Sequence, residues 1–325
     1  MQWIKSVSAI TFPSLGIKID PPMGFTVGSF ELRFYGLIIA VGLLLACIYG
    51  LKRRKQFGLS EDQVLDGAMI IVPFAILCAR AYYCIFAWHE FEANPIEVLY
   101  IWNGGIAIYG GVIGALLGII VYCKIRKISV GAAFDITSLG FLIGQSIGRW
   151  GNFFNREAFG EETTSFLRMG LFLNADQKAV STEYFYHPTF LYESVWNAIG
   201  FVLLHFLSKR RKYDGQIALG YVAWYGLGRT FIEGLRTDSL YWGPFRVSQM
   251  LAAISCFAAV VVLLVQSFRT HDSKDLYVNR VAALAAEEAA AAEAAEDADA
   301  AAEAPAEEAV EVSTEETEES SSEET

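Results

Sequence analysis

The sequence predicts an all-α membrane protein: a polytopic bundle of about seven transmembrane helices, N-terminus outside and C-terminus cytoplasmic, followed by a disordered acidic tail. Three observations carry this. Hydrophobic residues make up 54% of the 325-residue chain and mean hydropathy is +0.36, more apolar surface than one soluble core can hide. Uncharged runs at 34–51, 104–123 and 247–268 are each long enough to cross about 30 Å of hydrocarbon as a helix. Clusters of Lys and Arg recur at every second connection.

Taken in order, residues 1–29 contain prolines and no apolar core beside a cleavage site, so they are expected to be an extracytoplasmic segment without a cleavable signal peptide. Residues 30–270 form the expected helical domain. Besides the three firm runs, weaker spans lie at 67–88 with Arg80 inside, 132–147, 188–207 with Glu193, and 217–233 with Arg229. Basic groups at 52–55, 124–127 and 209–212, with Arg269 and Lys274, mark the cytoplasmic loops; 89–103 has no Lys or Arg. The long connection from Arg149 to about His187 is thereby placed outside.

The net charge of −11 belongs to the tail, 271–325. From Glu287 onward there are sixteen Asp and Glu and no Lys or Arg, which leaves +5 for the rest. With almost no large apolar side chains the tail cannot offset the entropy of ordering, so disorder is expected, with a loose Ala-rich helix near 282–295. The five cysteines sit in apolar runs and the four histidines share no helical spacing. They suggest neither a disulfide framework nor a metal site. No nucleic-acid partner is expected.

Charges inside spans are candidates for function, because each costs about 2.5–3.5 kcal/mol at the bilayer centre on insertion scales. Tyr225, Arg229 and Glu233 follow one another at i+4, with Arg236 three further on, so they share a face. A structural Arg229–Glu233 ion pair accounts for this spacing equally well. Arg80 can be a packing arginine, Tyr35 an interfacial-belt tyrosine, and Gly110, Gly114 and Gly118 a close-packing stripe.

The densest polar stretch is GRWGNFFNREAFG at 148–160, which brings Arg149, Asn152, Asn155, Arg156 and Glu157 to the outer mouth of a span, where the chain is expected to become irregular. Phospholipid headgroups lie at that depth. Arginine forks match phosphate oxygens, amides bind glycerol hydroxyls, and glycines let backbone approach closely. This points to a site for an anionic lipid headgroup.

GRWGNFFNREAFG resembles the signature of bacterial prolipoprotein diacylglyceryl transferases, close to G-R-x-G-N-F-x-N-x-E-x-x-G, matching at Arg149, Gly151, Asn152, Asn155, Glu157 and Gly160. RFYGL in the first helix, GGIAIYGG in the third, HPTFLYE at 187–193 and YGLGRTFIEGLRTD at 225–238 are similar to that family too, in its order, over roughly 32–265. The resemblance implies a multi-pass enzyme of the bacterial cytoplasmic membrane with its site near the outer leaflet. It implies transfer of the diacylglyceryl group of phosphatidylglycerol to the lipobox cysteine of a prolipoprotein signal peptide, releasing glycerol phosphate, without metal or soluble cofactor. Carried over residue by residue, Arg149 and Arg229 would hold the lipid phosphate, Glu233 would orient Arg229, and Tyr35 would line the pocket. Asn152, Asn155, Glu157 and Gly160 would form the headgroup loop, with Tyr225, Gly104 and Gly105 also contacting substrate. Tyr109 stands where some members carry histidine, so a histidine base is not implied. Tyr109, Glu157, Glu233, water and the lipid phosphate stay open as acceptors of the thiol proton.

A polytopic transporter of an anionic solute could line its path with Arg80, Arg149 and Arg229, yet most of the charge gathers at the outer ends. A metal-dependent lipid phosphotransferase would need clustered carboxylates, and Asp135, Glu193 and Glu233 lie on separate predicted helices. A non-catalytic lipid-binding scaffold is not separated from an enzyme by spacing.

Overall fold

Apolar side chains face outward and polar ones inward in the computed structural model, which describes residues 2–4, 8–28, 30–173, 184–237 and 241–303. Met69 and Phe257 are 71% and 72% exposed, whereas Arg80, Asp135, Thr189, Glu193, Asn197 and Glu233 are buried. At about 25 cal/mol per Å² such an exterior is costly in water and costs nothing in lipid.

Seven helices build the body: α1 (Phe34–Arg53), α2 (Glu61–Phe86), α3 (Ile108–Ile125), α4 (Val130–Asn155), α5 (Thr189–Ser208), α6 (Gln216–Glu233) and α7 (Val247–Ser267). Six of the helices among the described residues are long and apolar enough to cross a membrane. The exception among the seven is α6, present where the sequence places it but carrying Arg229 and Glu233 within 18 residues. Helix α4 is central, touching α1, α3, α5 and α6, while α2 pairs with α3 and α6 with α7. The glycine stripe serves the α2–α3 contact: Gly110 and Gly114 lie against Cys78 and its neighbours, where a Cβ would strike Ala79 and Ala75 backbone.

Local chemistry sets the ends. Ser60 and Gln63 form a reciprocal capping box at the start of α2. The start of α6 is capped from another helix: buried Asp135 of α4 accepts from the amides of Gly215, Ile217 and Ala218, each at 2.9 Å. Arg211, buried beside Asp135 and Asp214, has its pKa lowered by burial against their opposing attraction.

One expectation needs correcting. Helix α4 does not end at 147 but runs through Asn155, so Arg149 and Asn152 sit on its last turns rather than in an irregular exit. The cause is close packing: buried Gly148 and Gly151 let α4 continue against Ile39 and Tyr35 of α1, and Arg156 in the left-handed region ends it. The body is the all-α membrane bundle expected, and short strands accompany it outside the helices. β1 (Gln2–Ile4), β4 (Gly24–Val27) and β5 (Phe30–Arg33) form one antiparallel sheet. β3 (Ile17–Ile19), β2 (Ser8–Phe12), β6 (Met169–Leu173) and β7 (Phe185–Tyr186) form a second. β8 (Tyr241–Trp242) and β9 (Phe245–Arg246) make a hairpin before α7. They escape the sequence pattern because none exceeds five residues.

These strands brace the functional end. Ile10, Phe12, Met169 and Leu171 pack on Phe153 and Phe190, at the last turn of α4 and the first turn of α5. Nearby, Arg156 donates to Asp20 at 3.2 Å and to the Pro21 carbonyl at 2.5 Å; burial lowers its pKa and Asp20 opposes the shift.

The chain divides into two compact units, one ending at Tyr277 and the other beginning at Val278. Helix α8 (Tyr277–Glu303), all but its first residue in the second unit, is longer than the 282–295 expected of the tail. Alanine and glutamate are strong helix formers, and from Ala285 to Ala295 the helix consists of these two residue types alone. Residues 304–325 lie outside the described ones.

Candidate active site

Three helices converge on one carboxylate. Glu193, in the first turns of α5, is 3% exposed and reaches Arg149 of α4 through Oε2 at 2.5 Å and Arg229 of α6 through Oε1 at 3.0 Å. Arg229 also meets Glu233 at 2.5 Å, one turn on, while Arg236 approaches Glu193 at 3.4 Å from beyond the end of α6. A buried carboxylate is tolerated only when paired, and here it is paired on both oxygens. The result is a rigid array in which two guanidinium groups on different helices are held by the same acid.

The last turns of α4 and the residues just after them close one side. Arg149 Nη1 lies 3.4 Å from Asn152 Oδ1, and Asn152 Nδ2 donates to Glu157 Oε1 at 2.9 Å. Asn155 reaches the same Glu157 oxygen at 3.4 Å. Tyr35, from α1, packs its ring on Gly151, where a Cβ would lie 2.8 Å from the ring carbon Cδ2. The Gly160 amide donates to the His187 carbonyl at 2.9 Å. A Cβ there would sit 2.7 Å from the Leu235 carbonyl, so glycine permits the bridge to Arg236. A second cationic group stands at the rim: Arg246 donates to Glu161 at 3.0 Å and to the Glu233 carbonyl at 2.5 Å. Its hydrogen bond with Tyr241 and that with Glu161 raise its pKa.

Two spaces adjoin the array. A crevice too narrow to admit a water molecule is lined by Glu193, Trp196, Asn197, Tyr225, Gly228, Arg229 and Ile232. An open cleft of about 520 Å³ runs between α6, α7 and the β8–β9 hairpin, walled by Phe245, Met250 and Ala253 with Arg246 and Gln249.

Arg149, Arg229, Glu233, Asn152, Asn155 and Glu157 are thus brought into one connected network, with Tyr35, Tyr225 and Gly160 on its walls. Others lie apart. Gly104 and Gly105 offer their carbonyls to Arg80 Nη1 at 2.7 and 2.9 Å, and Arg80 further donates to the carbonyls of Val98 and Glu97. Arg80 is therefore consumed in stapling the α2–α3 connection. The Tyr109 hydroxyl meets Ser248 of α7 at 2.9 Å and shares no hydrogen bond with the arginines among the described residues. Glu193 stands out in the sequence as a charge inside a span and as the end of HPTFLYE, without being placed among the expected site residues. Its bridging position requires knowing that α4, α5 and α6 meet.

A family model described as Prolipoprotein diacylglyceryl transferase matches residues 22–265, which include every member of this network. The chain belongs to that family. A Listeria monocytogenes serotype 4a (strain HCC23) relative named phosphatidylglycerol--prolipoprotein diacylglyceryl transferase is 40% identical over 252 residues, 77% of this chain and 91% of its own. Relatives of the same name are similar at 40% identity in Limosilactobacillus reuteri (strain DSM 20016), over 80% of this chain and 95% of theirs, and in Bacillus licheniformis (strain ATCC 14580), over 79% and 97%. As a prolipoprotein diacylglyceryl transferase the chain is a multi-pass membrane protein, and α8 lies beyond the matched region.

Proposed function

We infer that the chain transfers the diacylglyceryl group of phosphatidylglycerol to the lipobox cysteine thiol of a prolipoprotein. The observation that carries the site is the pair of guanidinium groups, Arg149 and Arg229, fixed on opposite oxygens of buried Glu193 at 2.5 and 3.0 Å.

Attack by sulfur on the terminal glyceryl carbon forms a C–S bond and breaks the C–O bond to phosphate. Charge therefore builds on the departing phosphate oxygen, and donors already in place stabilise it without reorganising. Arg149 and Arg229 supply that positive potential, which also favours the thiolate over a thiol of ordinary pKa about 8.5. Glu193 and Glu233 hold both forks in position, and Asn152 and Asn155, tied to Glu157, present amides to the headgroup glycerol. For the reaction to balance, the thiol proton ends on the released glycerol phosphate. The apolar cleft with Arg246 at its rim suits acyl chains and a lipid phosphate. The strand-bearing end faces the outer leaflet in this account, supported by the Lys and Arg clusters at the opposite loops.

Purified protein given phosphatidylglycerol and a lipobox peptide is expected to form a thioether-linked product without added metal, and Arg149→Ala or Asn152→Ala to abolish it. Product that depends on added Mg²⁺, or full activity in both variants, sinks the mechanism.

A further inference from the structure

We propose that Trp196 and Trp224 are positioning residues for this transfer, forming a reciprocal clasp that sets the α5–α6 register in which Glu193 meets Arg229. The proposal rests on the transferase reading above. The two indoles stack with centroids 4.3 Å apart and planes 16° from parallel. Trp196 Nε1 donates to the Trp224 carbonyl and Trp224 Nε1 to the Trp196 carbonyl, each at 2.9 Å.

Ordinary packing needs only the ring contact. At hydrocarbon depth an indole N–H must also find an acceptor, and here each finds it on the other's backbone. A slide of one helix by a single turn, 5.4 Å, would break both bonds together. Glycines make the clasp possible: a Cβ on Gly228 would overlap the Trp196 indole nitrogen, and one on Gly200 that of Trp224. The placement matters for the site. Gly228 immediately precedes Arg229, Trp196 lies three residues from Glu193, and Trp196 walls the crevice beneath both ions. Register at the clasp is therefore register at the ion pair.

The test uses the full-length enzyme in phosphatidylglycerol-containing micelles with a lipobox peptide. Trp196→Phe and Trp224→Phe keep a ring and remove a donor, while Gly228→Ala drives a methyl into Trp196. Each is expected to lower kcat per folded molecule by about 10- to 100-fold, as a displacement near 1 Å does, with the lipid KM changed less than about threefold. Adding Trp196→Phe to Gly228→Ala makes room for the methyl and is expected to recover activity about fivefold or more over Gly228→Ala alone. Turnover per folded molecule that matches the wild type in all three single variants, or a double variant no faster than Gly228→Ala, overturns the proposal. A readout independent of turnover is the distance between spin labels at Ile199 and Leu227, exposed on α5 and α6, in a cysteine-free background. Gly228→Ala is expected to shift or broaden it; an unchanged distribution also overturns the clasp. An inactive wild type would instead refute the transferase reading, and the spin-label distance would still decide the register.

Discussion

Replacing Glu193 by glutamine isolates the charge that joins the two arginines. The carboxylate is 3% exposed and accepts guanidinium contacts at 2.5, 3.0 and 3.4 Å from Arg149 on α4, Arg229 on α6 and Arg236 just beyond α6. Glutamine keeps the shape and one acceptor oxygen but turns an NH₂ toward a guanidinium, donor against donor. Breaking one partner of a buried ion pair costs about 3–5 kcal/mol. The arginine side chains retain 22% and 16% exposure, so solvent screening favours the low end, about 3 kcal/mol. If that energy is withdrawn from the transition state, transfer slows by about 100-fold. If it is withdrawn from folding, the melting temperature falls by about 6–12 °C. Initial rates on phosphatidylglycerol and a lipobox peptide, with a thermal melt of the same sample, read both. A Glu193→Gln enzyme with wild-type rate and wild-type melting temperature would show that the bridge does not organise the site.

Further outcomes follow from the same geometry. Tyr109→Phe should stay within about threefold of wild type, because the hydroxyl bonds Ser248 rather than the arginine network; a 100-fold loss places that oxygen in the chemistry. Gly160→Ala should lose about tenfold in rate and about 1–3 kcal/mol in stability, since its Cβ would press the Leu235 carbonyl and displace Arg236, and unaltered kinetics would contradict that role. Removing 278–325 should leave the specific activity unchanged, as the tail lies outside the family match, and a large loss would give it a function in transfer.

How much was legible in the sequence follows from the range of the forces involved. Hydrophobic length and basic loops are local properties, so the spans of α1, α3, α5 and α7 are readable to within a few residues. Even α6 is found despite Arg229 and Glu233, because their i+4 spacing reveals a polar stripe. The end of α4 is not readable, because its last turns depend on Gly148 and Gly151 meeting α1. The same limit hides Glu193: a lone acid in an apolar run signals importance, but its partners come from α4 and α6, over thirty residues away in either direction. Gly104 and Gly105 illustrate the converse. Their motif is local, yet their carbonyls serve Arg80, a contact set by tertiary packing.

In the proposed mechanism Arg149 and Arg229, though on different helices, act on the headgroup as one unit through Glu193. A double-mutant cycle on kcat/KM, with Arg149→Lys, Arg229→Lys and the pair combined, keeps a charge and a measurable rate at each position and decides it. Groups that act together are non-additive, so the double variant should be no slower than the slower single. Losses that simply multiply would mean two independent arginines and would contradict the account.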